Sequence, residues 1–535
     1  MSSPSDLRCL LSDCTDLAVT EVFHDNSLEE NFTGSLSHQD IRSLSLSLKF
    51  TLFKNHGVAP GDTISIVFSN GISFIIAFLA IVSGGLICAP LNPTYSKEEF
   101  LYYLKDINPK LIIKSEFMDN DVAISEAAKS LKITLTTLFT KPTKAALNYF
   151  FRDEGVLVNL KKLNAPAETL QKLEQINPGD IALYLHTSGT TSKPKGVPLS
   201  HYNLVSSVKN IVATYDLTKL DKGLLVMPLF HVHGLVCGLL APLFSGGSLV
   251  IPVNGQFSAS NFWNTVVEHQ VNWYTCVPTI HKILLLRSHK EYPAFNSPNL
   301  RFIRSSSSTL SPSILYELEK TFHVPVLEAY SMTEASHMMT SNPLPSKGQR
   351  KAGTVGSAVG ELVVSVRDEV NKEVATGEEG EVCVKGPSVF SGYKDNPEAN
   401  EEGFMEGWFR TGDRGSKDPA GFITLTGRIK ELINRGGEKI SPNEIDSALL
   451  EFKGVIEAVS FGAPDPLYGE VVHAAVVIKD PEDPKKMELL LKEFLLTKLA
   501  PFKVPQVFYF SNDLPKTATG KIQRKHIASK FLNTQ

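Results

Sequence analysis

Residues 186–196, HTSGTTSKPKG, combine hydroxyl groups, lysines and glycines in a way that can bind an anion. The hydroxyl groups belong to Thr187, Ser188, Thr190, Thr191 and Ser192, and the positive charges to Lys193 and Lys195. Gly189 and Gly196 allow tight turns that direct backbone N–H groups at a ligand. The preceding run DIALYLH is typical of a buried strand, and nucleotide phosphates often bind where a strand enters such a loop. The spacing differs from the common phosphate loop G-x-x-x-x-G-K-S/T, and a solvated surface turn is the alternative.

Other segments carry polar side chains suited to binding, each with a simpler structural alternative. In YSMTEASH, which follows the strand-like run VPVLEA, Glu334 could hold magnesium through a carboxylate oxygen or be a solvated loop acid. Asp413 in FRTGDRG could accept both hydroxyls of a ribose or occupy an ordinary turn. The basic run GRIKELINRGGEKISP could bind a ligand or link two domains. Lys521 in PKTATGKIQRK could act as a cation or be a solvated tail lysine.

Composition restricts the class of protein. A chain of 535 residues exceeds a single core and predicts two or more domains. Its 42% hydrophobic and 21% charged residues are ordinary for a soluble globular protein, and a net charge of -4 provides no overall basic field for nucleic acid. The six cysteines include no C-x-x-C pair, so neither a zinc site nor a disulfide framework is indicated.

The order of apolar runs predicts an α/β fold. Short apolar runs alternate with helical stretches over about the first 400 residues, and shorter alternating strands begin after Gly360. A compact α+β unit is expected from about Gly427, with a helix at SPNEIDSALLEF that Ser441 and Glu444 would cap reciprocally. The apolar segment 74–91 is split by Ser-Gly-Gly, which favours a buried helix, a turn and a strand over a transmembrane span.

Taken in this order, the motifs resemble those of the adenylate-forming superfamily of acyl-CoA synthetases, luciferases and adenylation domains. The resemblance rests on LHTSGTTSKPKGVPLSH, EAYSMTEASH, TGD, GRIKELINRGGEKISPNEID and LPKTATGKIQR, and it extends from about residue 40 to the C-terminus. It implies a large N-terminal domain, residues 1–428, with α/β sheets and a small β-rich part. A small mobile α+β domain, residues 429–535, would follow, with the hinge near Lys430.

The resemblance also implies an activity and a set of roles. A carboxylate attacks the α-phosphorus of ATP, pyrophosphate leaves, and the thiol of coenzyme A then displaces AMP. ATP, Mg²⁺ and coenzyme A would be bound by residues from every motif. The phosphate loop would comprise Thr187, Ser188, Gly189, Thr190, Thr191 and Lys195, with Thr190 and Glu334 at magnesium, Thr333 at the α-phosphate, Tyr330 against adenine, Asp413 and Arg428 at the ribose, Lys521 as the catalytic bridge, and Gly437 near coenzyme A after rotation at Lys430.

Acid specificity depends on a second group of polar residues. PLFHVHG supplies His231 and His233, one of which could simply pack, and RFIRSSSSTL and MTEASH supply Arg304, Ser307 and His337. Several donors suit a short polar acid, since a buried second carboxylate requires charge-assisted hydrogen bonds. These segments resemble the oxalate–CoA ligases of plants and fungi. We therefore expect oxalate as the acid, bound by His231, Ser307 and His337 with Arg304 in support, and His231 is also a candidate catalytic residue.

Other interpretations remain open at this point. A medium-chain fatty acid or 4-coumarate-type CoA ligase is one alternative, and a ligase-fold protein with an RNA-binding role is another. The N-terminus lacks the pattern of a signal peptide, and the scattered cysteines fit a reducing compartment, so we expect a cytoplasmic protein. A peroxisomal location is the alternative, although the sequence does not end in an S-K-L type signal.

Overall fold

The protein forms two large mixed sheets, an antiparallel sheet and a small α+β unit. The structure is a computed structural model, and it describes residues 7, 17–25, 30–116, 120–142, 147–153, 156–162, 176–187, 194–293, 298–479, 483–517 and 522–532. None of the helices within these ranges is long and apolar enough to cross a membrane. This architecture confirms the predicted α/β class.

The first sheet has nine strands among the described residues and a parallel centre. In spatial order the strands are Ser357–Ala358, His337–Ser341, Val326–Met332, Phe302–Ser306, Trp273–Cys276, Lys222–Leu224, Ser248–Ile251, Leu17–Asp25 and Glu30–Ser37. The apolar runs of its central strands are buried on both faces, as parallel strands require. The carboxyl ends of Phe302–Ser306 and Val326–Met332 meet at one edge, where ligands bind in such sheets.

The second sheet has eight strands in the described part of the chain and contains the strand that leads into the phosphate loop. In spatial order the strands are Gly196–Ser200, Ile181–His186, Ile87–Leu91, Thr63–Val67, Leu111–Lys114, Thr134–Pro142, Leu147–Asp153 and Val156–Asn159. Gly196–Ser200 pairs antiparallel with Ile181–His186, so the phosphate loop connects two adjacent strands.

Two smaller sheets complete the described chain. The antiparallel sheet contains Val363–Arg367, Glu379–Lys385, Phe404–Met405, Trp408–Lys417 and Ile423–Arg428. The last sheet contains Ile433–Arg435, Glu438–Ile440, Val455–Asp465, Gly469–Ile478 and Val507–Phe510, and it has its own apolar clusters on both faces. The domain boundary at residues 428 and 429 stays a prediction.

Helices connect the strands and pack against the sheets. The described α-helices are His38–His56, Ile72–Val82, Lys97–Ile107, Asp121–Leu131, His201–Tyr215, Ala241–Phe244, Ala259–Glu268, Pro278–Glu291, Pro312–Phe322, Pro397–Gly403, Pro442–Leu450, Pro484–Leu496 and Arg524–Leu532. A π-helix, His233–Leu240, precedes Ala241–Phe244. Single-turn 3₁₀ helices lie at Leu160–Lys162, Val253–Gly255, Thr333–Ala335, Ile429–Glu431 and Pro501–Lys503.

Local predictions can be compared with these elements. The apolar segment 74–91 comprises most of helix Ile72–Val82, a turn and strand Ile87–Leu91, as predicted. The capping box at Ser441 and Glu444 is wrong. The Ser441 hydroxyl donates to the Thr426 carbonyl, and Glu444 pairs with Lys503 at 2.8 Å. Partners from neighbouring elements therefore replace the local capping pattern.

Candidate active site

A cavity of about 460 Å³ lies where the first sheet, the antiparallel sheet and Ile429–Glu431 meet. It brings together several of the predicted site residues, namely Thr187, Lys195, His231, Thr333, Glu334, Arg428 and Lys430. Ser188, Gly189, Thr190, Thr191 and Lys521 lie outside the described residues. The cavity therefore joins elements that are distant in sequence at the edge predicted for ligand binding.

The two ends of the phosphate loop are held against each other. The Thr187 amide donates to the Lys195 carbonyl at 3.0 Å, and the Lys195 amide donates to the Thr187 hydroxyl at 3.0 Å. These bonds continue the antiparallel pairing of the adjoining strands. Thr187 and Lys195, the described ends of the predicted phosphate loop, consequently lie together at the cavity wall.

A polar cluster behind this loop was not predicted from the sequence. The Asp106 carboxylate, on helix Lys97–Ile107, accepts from Tyr184 at 2.6 Å and from His186 at 2.8 Å. The hydrogen bond from His186 is the largest cause that lowers the pKa of the Asp106 carboxyl. Gly196 leaves room for this arrangement, since a Cβ there would lie 1.7 Å from the Tyr184 hydroxyl oxygen. Asp106 thus fixes the strand that leads into the loop.

Glu334 lies on the single turn Thr333–Ala335, directly after a parallel strand of the first sheet. Its buried Oε1 accepts from the Tyr393 hydroxyl at 2.8 Å, and the Lys195 ammonium lies 4.7 Å from the Tyr393 ring centroid. Burial and the adjacent Glu334 raise the pKa of Tyr393, so the phenol stays protonated and donates. Tyr393 therefore connects two residues that the sequence predicted separately, and no sequence pattern singled it out.

Glu334 is a candidate ligand for a magnesium ion, as its motif predicted. Within the described ranges, no group of three or more His, Cys, Asp or Glu side chains could hold a metal. Mg²⁺ in nucleotide sites uses one or two carboxylates and the substrate's phosphates, and a single carboxylate such as that of Glu334 at the cavity wall would be enough for such a site.

Asp413 and Arg428 face each other on neighbouring antiparallel strands. They are register partners, and the Arg428 Nε lies 3.0 Å from the Asp413 Oδ1. Tyr330 donates its hydroxyl to Asp413 Oδ2, and burial raises the pKa of this phenol well above its usual value. The structure thus brings together the three residues predicted for adenine and ribose. A carboxylate fixed from two sides is suited to accept hydroxyl hydrogen bonds.

A cluster of polar side chains surrounds the buried His233. His231 lines the cavity, whereas His233, at the start of the π-helix, is buried and stacks on the His337 ring with centroids 5.1 Å apart. The Ser307 hydroxyl lies 3.0 Å from His233 Nδ1. Arg304 is fully buried and directs its Nε to the Tyr215 hydroxyl at 2.8 Å. Ser307, His337 and Arg304 therefore gather around His233, whereas His231 lies on the cavity wall.

Two of these residues adopt backbone angles that are unusual for side chains with a Cβ. Ser307 has φ of 72° and His337 has φ of 99°, and both directly follow or begin a strand of the first sheet. Such conformations cost free energy and cluster at functional sites, where the surrounding structure holds them. The strain is consistent with a functional site, in which the surrounding structure fixes the directions of these two side chains.

The order of the sheets and the cavity at their shared edge define an adenylate-forming enzyme. The chain belongs to the family of AMP-binding enzymes, whose model matches residues 24–394, and the C-terminal domain of AMP-binding enzymes matches residues 444–521. This confirms the resemblance noted in the motifs.

Comparison with individual relatives narrows the family to particular enzymes that the chain resembles. The chain is 46% identical over 499 residues to an oxalate–CoA ligase of Arabidopsis thaliana, and the alignment covers 93% of this chain and 94% of the relative. It is also 46% identical over 484 residues to an oxalate–CoA ligase of Saccharomyces cerevisiae, covering 88% and 87%. The crystal structure of ATP-bound MatB from Rhodopseudomonas palustris is 27% identical, with a TM-score of 0.83 and coverage of 99% and 100%. These matches give no support to an RNA-binding role.

Proposed function

We propose that the protein is an oxalate–CoA ligase, which converts oxalate, ATP and coenzyme A into oxalyl-CoA, AMP and pyrophosphate. The observation that carries the proposal is the polar cluster in which Ser307 and His337 contact His233 beside the buried Arg304 guanidinium. The apolar chain of a medium-chain acid could not accept hydrogen bonds from these side chains, whereas a second carboxylate could.

The described residues support separate binding positions for the triphosphate and the ribose of ATP along the cavity. Thr187 and Lys195 lie where the triphosphate is expected, and Asp413 with Arg428 lies where the ribose is expected. Positioned cations and donors stabilise the charge that develops on the α-phosphoryl group and on departing pyrophosphate. Glu334 would hold Mg²⁺, which when bound supplies positive charge to the phosphate oxygens. Lys521 is proposed, from the family resemblance, to bridge the carboxylate and the α-phosphate.

The second carboxylate of oxalate accounts for the proposed specificity. Oxalate is a dianion at neutral pH, so one carboxylate reacts while the other remains charged inside the protein. A buried carboxylate requires hydrogen-bond donors, and each charge-assisted bond contributes about 1.5–3 kcal/mol. Two such bonds would separate oxalate from acetate by roughly two to four orders of magnitude.

Pyrophosphate release measured across a panel of acids tests the proposal. With ATP, Mg²⁺ and coenzyme A present, kcat/KM should be highest for oxalate and lower for acetate, hexanoate and 4-coumarate. Mass detection of oxalyl-CoA confirms that the acid reaches the thioester. A kcat/KM for hexanoate equal to that for oxalate would reject the assignment and favour a medium-chain ligase.

A further inference from the structure

Four polar side chains form a continuous hydrogen-bonded chain, of which three are buried and the fourth, Ser307, is half-buried. Arg304 Nη1 lies 3.1 Å from Thr275 Oγ1, Thr275 Oγ1 lies 2.7 Å from His233 Nε2, and His233 Nδ1 lies 3.0 Å from Ser307 Oγ. We propose that Arg304, Thr275 and His233 form a relay that fixes the Ser307 hydroxyl as a hydrogen-bond donor to the second carboxylate of the acid. The inference rests on the proposed oxalate–CoA ligase function and assigns Thr275 and His233 as positioning residues.

The direction of the relay begins at Arg304, because a guanidinium can donate hydrogen bonds but cannot accept them. Thr275 lies opposite Arg304 in the parallel pairing of two neighbouring strands, and its hydroxyl oxygen therefore accepts from Nη1. The hydroxyl proton of Thr275 is then available to His233 Nε2, which lies at 2.7 Å.

The tautomer of His233 decides whether the order of donors and acceptors continues to Ser307. Arg304 Nη1 also lies 3.5 Å from His233 Nε2, so a proton on Nε2 would oppose the N–H of a buried cation. A neutral imidazole that accepts at Nε2 carries its proton on Nδ1. That N–H donates to the Ser307 oxygen at 3.0 Å. The Ser307 proton is consequently left to point away from His233.

Arg304 acts from within the core and does not need to touch the acid. It is fully buried, and among the described residues no carboxylate lies within ion-pair distance of it. Its Nε is bound to the Tyr215 hydroxyl, while Nη2 has no hydrogen-bond partner among the described residues. An unneutralised buried cation is costly and favours an anion nearby. A charged acid held by Ser307 would supply that compensation.

Ser307 lies at the outer end of the relay. It follows strand Phe302–Ser306 with φ of 72° and is half-buried, whereas the three relay residues behind it are buried. The adjacent Ser306 hydroxyl lies 3.1 Å from that of Ser331, which lines the cavity wall. The relay therefore runs from the core outward, and the proposal places the second carboxylate of the acid at its Ser307 end.

Thr275→Val tests the relay because it keeps the side-chain shape and removes the hydroxyl. We expect the ratio of kcat/KM for oxalate to that for acetate to fall about tenfold, the scale of one hydrogen bond to a charged group. The change should appear mainly in KM for oxalate, with KM for ATP unchanged. Thr275→Ser restores a hydroxyl and should retain the native ratio.

Thr265→Val is the matched control. Thr265 is also buried, and its hydroxyl donates to the Asn261 carbonyl within helix Ala259–Glu268, away from the relay. It should lose comparable stability in a thermal unfolding experiment without changing the acid ratio. A similar fall in the ratio for Thr265→Val would show that general destabilisation explains the result and would overturn the relay.

Two substitutions of His233 test the assigned tautomer. Asparagine places an amide N–H near the native Nδ1 and can still donate to Ser307, whereas glutamine extends its amide toward the native Nε2 and does not. The relay predicts that His233→Asn retains more of the oxalate preference than His233→Gln. The reverse order would refute the assigned direction.

The failures of the two proposals are distinguishable. If the unmodified enzyme does not prefer oxalate, the proposed function fails, whatever the variants show. If it prefers oxalate and Thr275→Val keeps the native ratio of oxalate to acetate, the function stands and the relay fails.

Discussion

Removing one hydroxyl at Tyr393 should weaken the magnesium-dependent step. Tyr393 donates to Glu334 Oε1 at 2.8 Å, and both side chains are less than one tenth exposed. A hydrogen bond to a buried carboxylate is worth about 1.5–3 kcal/mol, so Tyr393→Phe should raise the half-saturating Mg²⁺ concentration or lower the adenylation rate roughly tenfold to a hundredfold. The ring remains in place, so the contact of Lys195 with it is preserved.

The assay is pyrophosphate release over a range of Mg²⁺ concentrations, at saturating ATP and oxalate. Tyr509→Phe is the control, because it removes a hydroxyl that lies 3.1 Å from His473 Nδ1 in the last sheet, far along the chain from the cavity residues. Native magnesium dependence and native rate in Tyr393→Phe would refute the role given to this hydroxyl. An equal loss in Tyr509→Phe would have the same consequence.

Two further predictions concern stability and the predicted hinge. Burial raises the pKa of the Glu21 carboxyl from 4.5 to about 7, although it accepts from the Ile72 amide at 2.9 Å. Because the folded-state pKa is raised, stability falls as pH rises from 4.5 to about 7 and stays low above it. Glu21→Gln should therefore have a free energy of unfolding up to about 3 kcal/mol higher than that of the native protein at about pH 8 and a similar one at about pH 4.5, as measured by urea unfolding. Native-like unfolding at both pH values would contradict this. Lys430→Pro lies in the turn Ile429–Glu431, where proline fixes φ and removes an N–H. We expect near-normal release of pyrophosphate in a single turnover but loss of oxalyl-CoA formation. Intact overall turnover would place the hinge elsewhere.

Much of the fold could be predicted because its strands have strong local patterns. Apolar runs such as those of Ile87–Leu91 and Trp273–Cys276 are short, buried and bounded by turns, which is the pattern of parallel strands. The capping of helix Pro442–Leu450 could not be predicted in the same way. The Ser441 hydroxyl is taken by Thr426, a residue of another strand, and tertiary contacts of this kind leave no local signal.

The site shows the same division between local and long-range information. Thr187, Glu334 and Asp413 lie in motifs whose residue types indicate their chemistry, and the structure places them around or beside one cavity. Asp106 and Tyr393 contribute through hydrogen bonds to residues 78 to 80 and 59 positions away in the chain, respectively. An aspartate near the end of an ordinary amphipathic helix and a tyrosine in a turn carry no signal until the chain is folded.

The buried polar cluster around Arg304 was marked in the sequence by an inconsistency rather than by a motif. Strand Phe302–Ser306 is fully buried, yet its centre is Arg304, a residue type that is almost never buried without a partner. The parallel register sets Thr275 directly beside it, so two polar groups share one level of an otherwise apolar sheet. Stability alone does not favour such a pair, since an apolar pair of similar size would avoid the cost of desolvating a cation. The cost is understandable if the cation is retained for an anion that arrives from the cavity, and the oxalate-to-acetate ratio of the Thr275 variants measures that relation directly.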